Sequence, residues 1–297
     1  MIPWSLCTGL IIEPFIHPKP GAVTRIRSHP DKSILEFLAS NIVYCRILTK
    51  ALENVESPDA GGCIVGNIFE SLTRALDSRG LRTNTSLGSW LLHIPLSLAY
   101  TITLQASGVE PSVETLLDNA RYIMRKSTAC DTRGYYSILR YYAPSHLGRL
   151  KGEGPDVWSE DTRYPPLWDI IVKAGEGDIV HREITSLYPL SRKTSSMIEQ
   201  EISRTEMCLE KAASKAFLKL MKETPDTLIA RKYGVRTAYR VMALARLVDK
   251  NIIPISELDS YMRKNGINPG SLLDILATGI TLFFYSKSTD PMTESFS

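Results

Sequence analysis

One long stretch without charge limits the folds open to this chain more than any other feature of its sequence. Residues 83–109 contain no Asp, Glu, Lys or Arg, and the stretch is long enough to cross a bilayer as a helix. It also carries polar groups that lipid would leave unsatisfied, among them Ser86, Ser89, His93, Ser97, Thr101, Thr103 and Gln105. Neighbouring helices can bond to such groups. We therefore predict a central core helix of a water-soluble protein, with a kink near Pro95, rather than a membrane span.

Helical periodicity extends over most of the remaining chain. Ser33 with Glu36 forms a capping box before an apolar stripe, and Ser112 precedes another. Helices are predicted over residues 34–47, 64–76, 116–124, 196–220, 227–248, 256–264 and 271–285. Strand-like alternation is nearly absent. The fold is predicted to be all-α, with one multi-helix domain over 1–287 and a loose tail over 288–297.

Composition excludes several classes of function. Lys and Arg number 35 against 32 Asp and Glu, which is too even for the basic field that nucleic-acid binding needs. The apolar N-terminus lacks the basic start of a signal peptide, so the protein is predicted to be cytoplasmic. The five cysteines form no C-x-x-C pair, which predicts buried thiols in a reducing compartment, not disulfides or a zinc site: Cys7, Cys45, Cys63, Cys130 and Cys208.

Residues 143–166 interrupt the helical pattern. This stretch contains three glycines and four prolines and is too long for a simple connector. Loops of this length in compact domains are usually functional, so we predict a functional loop here.

Four short polar segments stand at predicted helix entrances, where free backbone N–H groups and the helix dipole favour anions. In chain order they are Pro18-Lys19-Pro20-Gly21 with His29-Pro30-Asp31, then Asn84-Thr85-Ser86-Leu87-Gly88, then Asp226-Thr227 with Ala230-Arg231-Lys232-Tyr233-Gly234, and Asn268-Pro269-Gly270-Ser271 with Asp274. We call them the first to fourth segments.

Each segment alone has an ordinary structural explanation. The first reads as a turn with a solvated lysine, and Asn84 or Thr85 reads as a helix cap. Arg231 and Lys232 fit an exposed basic face. Ser271 with Asp274 fits a capping box.

Taken together, the order and the residues of the four segments resemble those of the triphosphoribosyl-dephospho-CoA synthase family. Its members carry Pro-Lys-Pro-Gly, His-x-Asp before a helix with Phe and Ser, Asn-Thr-His-Lys-Gly, Asp-Thr-x-x-Ala-Arg and a closing Asn/Ser-Pro-Gly with Asp-Leu. The matching positions here are Lys19, Gly21, His29, Asp31, Phe37, Ser40, Asn84, Thr85, Gly88, Asp226, Thr227, Ala230, Arg231, Gly234, Asn268, Pro269, Gly270, Ser271 and Asp274.

The resemblance implies a transferase that moves the triphosphoribosyl group of ATP to the 2′-hydroxyl of dephospho-CoA and releases adenine. An acyl carrier protein is the downstream partner that it implies. Site roles follow by the same route. The catalytic candidates are His29, Asp31, Asp226 and Asp274, with Mg²⁺ expected on Asp31 and Asp274. The candidates for binding nucleotide and phosphate are Lys19, Gly21, Asn84, Thr85, Gly88, Arg231, Lys232, Gly270 and Ser271.

Two departures from the family's sequence motifs keep other hypotheses open. Ser86 and Leu87 stand where family enzymes have His-Lys, and Lys32 stands where they have Met after His-x-Asp. With these residues, the motifs are more similar to those of the divergent archaeal-type branch of the family. A helical nucleotide-binding protein without transferase activity is the first alternative, and a helical interaction module is the second. The acceptor, the metal and the oligomeric state stay open.

Overall fold

The structure is a computed structural model that describes residues 5–53, 55, 62–142, 157–158, 163–205 and 207–288. Within these ranges it has fourteen α-helices and no strand, with two isolated β-bridges between residues 24 and 32. The all-α prediction is confirmed. Most of the predicted functional loop at 143–166 lies outside the described residues, as do residues 289–297 of the predicted tail.

The helices are numbered in chain order. They are α1 Ser5–Ile12, α2 Ile34–Leu52, α3 Ile64–Asp77, α4 Leu87–Ser107, α5 Val113–Arg125, α6 Ala129–Tyr142, α7 Leu167–Gly175, α8 Ile179–Thr185, α9 Pro189–Thr205, α10 Leu209–Glu223, α11 Thr227–Tyr233, α12 Val235–Asp249, α13 Ile255–Lys264 and α14 Gly270–Ser288; a 3-10 turn, Glu13–Phe15, follows α1. Helix α14 packs against α1, α4 and α9, and it joins the two halves of the fold.

Two hydrophobic cores meet along α14. The first surrounds α4 and gathers side chains from α1 to α8, with Leu282 and Tyr285 of α14. The second gathers α9 to α13 with Leu276 and Ile280 of α14. Because residues on opposite faces of one helix enter different cores, α14 is apolar nearly all round, as expected for a fully enclosed helix.

Helix α4 is the predicted central helix. By length and apolarity it could cross a membrane, yet 72% of its most apolar window is buried inside the protein. Several of its polar groups find partners on neighbouring helices, as expected for a core helix: Tyr188 Oη donates to the Leu92 carbonyl at 2.9 Å, and Asn119 Nδ2 donates to Thr103 Oγ1 at 2.8 Å. The prediction of a buried core helix is confirmed, but Ser97 Oγ is buried without a hydrogen-bond partner.

His93 fastens α4 to α14. Its Nδ1 donates to the Ser89 carbonyl at 2.6 Å, and its Nε2 accepts from Thr281 Oγ1 at 2.8 Å. This pattern requires the neutral ring with the proton on Nδ1. Full burial lowers the pKa of His93 to about 4.

We expect His93 to make the protein sensitive to acid. The unfolded chain, with a histidine pKa of about 6.5, binds more protons than the folded state across the interval down to about pH 4. Stability is therefore complete above that interval and falls as pH drops through it, by on the order of 3 kcal/mol from this group. Urea unfolding of the parent and His93→Gln, at neutral pH and at about pH 4, measures the difference. Equal losses of unfolding free energy on acidification in the two proteins would contradict this expectation.

Two predicted helices are broken in the structure. The pattern over 196–220 belongs to α9 and α10, which separate before Cys208 and pack against each other. The pattern over 227–248 is divided at Gly234, whose φ of 87° and ψ of 154° lie in a region that is essentially open only to glycine. The apolar spacing continues across both breaks because each pair of helices covers the same core.

The prediction of unpaired, buried thiols is wrong for all five cysteines. The structure pairs Cys7 with Cys45 and Cys63 with Cys130 as disulfides, and it leaves Cys208 free and exposed. The paired residues are 38 and 67 positions apart in sequence. Packing of α1 on α2, and of the start of α3 on α6, brings them together, which residue spacing alone does not indicate.

Candidate functional site

The first segment folds back on itself through two tight turns. Backbone bonds pair Thr24 with Arg27 and His29 with Lys32. Inside the loop, His29 Nε2 donates to the Gly21 carbonyl at 2.8 Å, and burial lowers the pKa of His29, so its ring is neutral near pH 7. The second turn sets the directions of the residues that follow His29.

Asp31 and Lys32 point to different places from this turn. Asp31 lies at the tip with 66% of its side chain exposed. Lys32 is 15% exposed and reaches the second segment, where its Nζ donates to the Asn84 carbonyl at 2.9 Å. The Asp31 carboxylate is 3.6 Å from the same ammonium. The first and second segments are therefore in contact through Lys32.

Lys19 lies inside the protein. It is fully buried in an ion pair with Glu13, and its Nζ also donates to the Glu13 carbonyl at 2.6 Å. Glu13 belongs to the turn after α1, which itself packs against α14. In this arrangement Lys19 supports the loop, and a phosphate would have to displace Glu13 to reach it.

The second and fourth segments meet where α4 and α14 begin. Asp274 Oδ1 accepts from Ser89 N at 2.8 Å and from Ser89 Oγ at 2.5 Å. A side chain at Gly88 would overlap Asp274 Oδ2, so only glycine permits this approach. Burial raises the pKa of Asp274 to about 8, and the nearby charges of Glu13 and Asp178 add to the shift.

The third segment is joined to the fourth at the start of α11. Ser271 Oγ accepts from the Leu228 amide at 3.2 Å and bonds to Thr227 Oγ1 at 3.1 Å. Asp226 is buried, and its two oxygens accept from Ile229 N at 2.8 Å and Leu272 N at 2.9 Å. Both oxygens of Asp226 thus clamp α11 to α14.

The predicted capping box at the start of α14 is not what Ser271 and Asp274 form. Ser271 bonds to α11 and Asp274 bonds to α4, so both side chains are used between helices. The sequence pattern S-x-x-D matches a local motif, but the partners come from distant parts of the chain.

Arg231 is held by a carboxylate that the sequence analysis did not single out. Asp178, the N-cap of α8, forms an ion pair with Arg231, lies 3.3 Å from His181 Nδ1 and accepts from Thr227 Oγ1 at 3.4 Å. Although burial opposes ionisation, His181 and Arg231 hold the pKa of Asp178 well below its usual value. Tyr135 Oη, 3.2 Å from His181 Nε2, completes the network.

Lys232 lies beside Arg231 and near Lys32. Its side chain is exposed, but partial desolvation together with the charges of Lys32 and Arg231 lowers the pKa of its ammonium, while Asp31 and Asp226 raise it. Three cations from the first and third segments therefore occupy one region, and their mutual repulsion favours an anion between them.

We call the region where the four segments meet the polar junction. It contains the starts of α4, α8, α11 and α14 with the residues just described. As predicted, the four segments come together, through the bonds from Lys32 to Asn84, from Ser89 to Asp274 and from Leu228 to Ser271; that they line one binding cleft stays a prediction. Asn84 Oδ1 also accepts from the Leu87 amide at 3.4 Å, and Thr85 Oγ1 bonds to Ser40 Oγ at 2.6 Å. These bonds set the start of α4.

The residues predicted to hold Mg²⁺ can be tested against this geometry. Within the described ranges no group of three or more His, Cys, Asp or Glu side chains could hold a metal ion by itself. No contact among those residues joins Asp31 to Asp274. Mg²⁺, however, is commonly bound by one or two carboxylates together with substrate phosphates. Asp274 fits such a role because Ser89 engages only its Oδ1; Asp31 lies apart, beside Lys32.

The sequence analysis missed several residues of the polar junction because no local sequence pattern marks them. Glu13, Asp178 and His181 lie outside the four segments, and Ser89 follows directly on the second. A carboxylate before an apolar helix, as at Asp178, looks like any N-cap. Asp178 and His181 are three residues apart, but the other partners of these residues are 6 to 185 residues away in sequence, so their arrangement depends on tertiary packing.

Comparison with known proteins gives the family. A family model described as ATP:dephospho-CoA triphosphoribosyl transferase matches residues 4–291, nearly the whole chain. The chain belongs to this family. Triphosphoribosyl transferases of this family are enzymes that move the triphosphoribosyl group of ATP to dephospho-CoA, so the sequence resemblance is confirmed.

The fold agrees with that of a solved structure. A "putative triphosphoribosyl-dephospho-coA synthase" from Archaeoglobus fulgidus superposes with a TM-score of 0.61 at 18% identity, covering 84% of this chain and 98% of that one. At this identity the likeness concerns the fold alone. No curated protein matches the chain.

Proposed function

We propose that the polar junction is the active site of this triphosphoribosyl transferase. The observation that carries the proposal is the pair of bonds from Ser89 to Asp274, which joins the starts of α4 and α14 at a carboxyl with a raised pKa. Beside it, Arg231, Lys232 and Lys32 supply positive charge. A carboxyl next to clustered cations suits a substrate with a reactive sugar and a polyphosphate.

The triphosphate would lie across the cationic side of the junction. Arg231 can present its guanidinium because Asp178 fixes it while 37% of its side chain stays exposed. The amides of Gly88 and Gly270, in the first turns of α4 and α14, would add neutral donors, whereas those of Leu87, Ser89 and Leu272 are already bonded to side chains. Asn84 and Thr85 position the α4 end, and Gly21, Lys19 and Ser271 act by supporting the surrounding loops.

The reaction exchanges two bonds at the anomeric carbon of ATP. The bond from C1′ to adenine N9 breaks, a bond from C1′ to the acceptor 2′-oxygen forms, and the hydroxyl proton is balanced by a proton taken up by adenine. We assign Asp274 to this carbon. Its pKa near 8 lets the carboxyl exchange a proton near neutral pH, and its ionised form would stabilise the oxocarbenium-like transition state.

The other predicted catalytic residues receive narrower roles. His29, with a neutral ring fixed by Gly21, is our candidate for hydrogen bonding to the departing base. Asp31 would orient the lysines at the rim. Asp226 would act through position, since it holds α11 and therefore Arg231 in place.

Mg²⁺ is proposed as the cofactor, bound by Asp274 and substrate phosphates. When bound, it would neutralise phosphate charge and favour the ionised carboxyl. The remaining biological setting is also proposed: a cytoplasmic enzyme of prosthetic-group biosynthesis whose product is passed on to an acyl carrier protein, without nucleic-acid or membrane partners.

A direct assay tests the proposal. The purified protein is incubated with ATP, dephospho-CoA and Mg²⁺, and chromatography with mass detection follows free adenine and triphosphoribosyl-dephospho-CoA. We expect both products in equal amounts, and neither with the 2′-deoxy analogue of dephospho-CoA. Tight ATP binding without adenine release over long incubation would instead support the non-catalytic alternative. Absence of any nucleotide binding would support the interaction module.

Arg231→Ala is expected to weaken ATP binding by roughly tenfold to a hundredfold, because a charged hydrogen bond to phosphate is lost. Calorimetric titration with ATP measures the change. Arg121→Ala is the matched control, since Arg121 is an arginine paired with Asp118 at the surface of α5. Equal ATP affinity in the two variants would contradict an assignment of Arg231 to the triphosphate.

A further inference from the structure

Lys32 has a position that neither a turn nor a simple surface ion pair explains. It leaves the turn at residues 29–32 and places its ammonium against the Asn84 carbonyl, just before the start of α4. Only 15% of its side chain is exposed, while its acidic neighbour Asp31 is mostly in solvent. One carbonyl bond and a 3.6 Å contact leave part of its three-donor capacity open.

The second segment lacks a cation of its own. Leu87 is the first residue of α4, with 8% of its surface exposed, and it packs in the first core. The start of α4 is consequently without a basic side chain from its own segment. Lys32 brings an ammonium to this place from the first segment.

The surroundings of Lys32 favour a bound polyanion. Lys232, on α11, lies within electrostatic reach of Lys32 and Arg231. Arg231 is paired with Asp178, whereas Lys32 has the mostly exposed Asp31 beside it, and Asp31 and Asp226 only partly offset the charges around Lys232. Bringing like charges together raises the free energy unless an anion lies between them.

We infer that Lys32 binds the triphosphate of ATP and supplies the positive charge that the second segment itself lacks. The inference rests on the proposed function, because it concerns the substrate of the same site. It assigns the cations of the first and third segments to one polyphosphate.

Two variants separate the charge of Lys32 from its bond to Asn84. Lys32→Met removes both, whereas Lys32→Gln removes the charge and keeps an N–H donor for the Asn84 carbonyl. Calorimetric titration at low salt with ATP, and separately with inorganic tripolyphosphate, gives the affinities. Both variants are expected to bind both probes about tenfold or more weakly than the parent, as for loss of a hydrogen bond to a charged group. The salt dependence of binding should also become shallower.

Lys250→Met is the matched control. Lys250 is an exposed lysine at the far end of α12, about 20 Å along the helix from its start. It changes net charge by the same amount and is expected to leave both affinities unchanged. Thermal melting of each variant confirms that it is folded before titration.

The outcomes distinguish the inference from the proposed function. A parent protein that binds neither ATP nor tripolyphosphate would overturn the proposed function itself. A parent that binds both, with Lys32→Met and Lys32→Gln equal to it, would overturn the role of Lys32 alone. Weak binding by Lys32→Met with parental binding by Lys32→Gln would also overturn it, because Lys32 would then only hold Asn84.

Discussion

Asp274→Asn is expected to lower turnover by about a hundredfold or more, comparable with the removal of other preorganised electrostatic groups from active sites. The amide neither ionises near the anomeric carbon nor exchanges a proton there. Its shape is nearly that of the carboxyl, so substrates can still enter. Adenine release under saturating ATP and dephospho-CoA measures the effect.

The same variant is expected to be at least as stable as the parent. An amide oxygen can accept both Ser89 bonds, since Ser89 N and Oγ donate to the same atom, Oδ1. The raised pKa of Asp274 means that the folded parent loses stability as pH rises from about 4 toward 8, because the folded state favours the protonated carboxyl. Asparagine has no such titration. The stability of Asp274→Asn relative to the parent should therefore increase over this range.

Asp226→Asn is the informative control. Asp226 uses its two oxygens for N–H groups of two helices, so an amide can satisfy only one of them. Asp226→Asn should lose stability, whereas Asp274→Asn should lose activity. An Asp274→Asn protein that releases adenine at the parental rate would show that Asp274 only connects α4 and α14.

Reduction of both disulfides is expected to cost several kcal/mol of unfolding free energy. The bonds close loops of 38 and 67 residues, for which the chain-entropy model gives about 4 kcal/mol each. Thermal or urea unfolding of the untreated protein and of the protein that has been reduced and alkylated measures the loss. Cys208→Ser is the control, because its exposed thiol is unpaired and its removal should leave stability unchanged.

Alkylation of the denatured, unreduced protein provides the direct count. One of the five cysteines, Cys208, should react before reduction, and all five should react after it. Five reactive thiols before reduction would contradict the pairing. The two disulfides would be unusual in most cytosols, which are reducing. They would fit the proposed cytoplasmic location in a hyperthermophilic archaeon or bacterium, where intracellular disulfides are abundant.

Local signals in the sequence were sufficient for much of the fold. The capping box at Ser33 and Glu36 starts α2 as predicted, and Ser112 caps α5. These signals work because the donor, the acceptor and the apolar stripe all lie within one or two turns. The breaks at Gly234 and before Cys208 were missed because the apolar period continues through them, and periodicity reports a buried face rather than an unbroken helix.

Sequence alone determined the all-α class, the buried central helix and the four segments that the structure brings together, because periodicity, missing charge and motif order are properties of short stretches. Only the tertiary structure decided how individual side chains are used. Lys19 turns inward to Glu13, Asp178 holds Arg231, Lys32 reaches Asn84, and the cysteines pair. Most of these contacts join residues that are tens of positions apart or more. Their free energy depends on which helices pack together, and no local pattern encodes that choice.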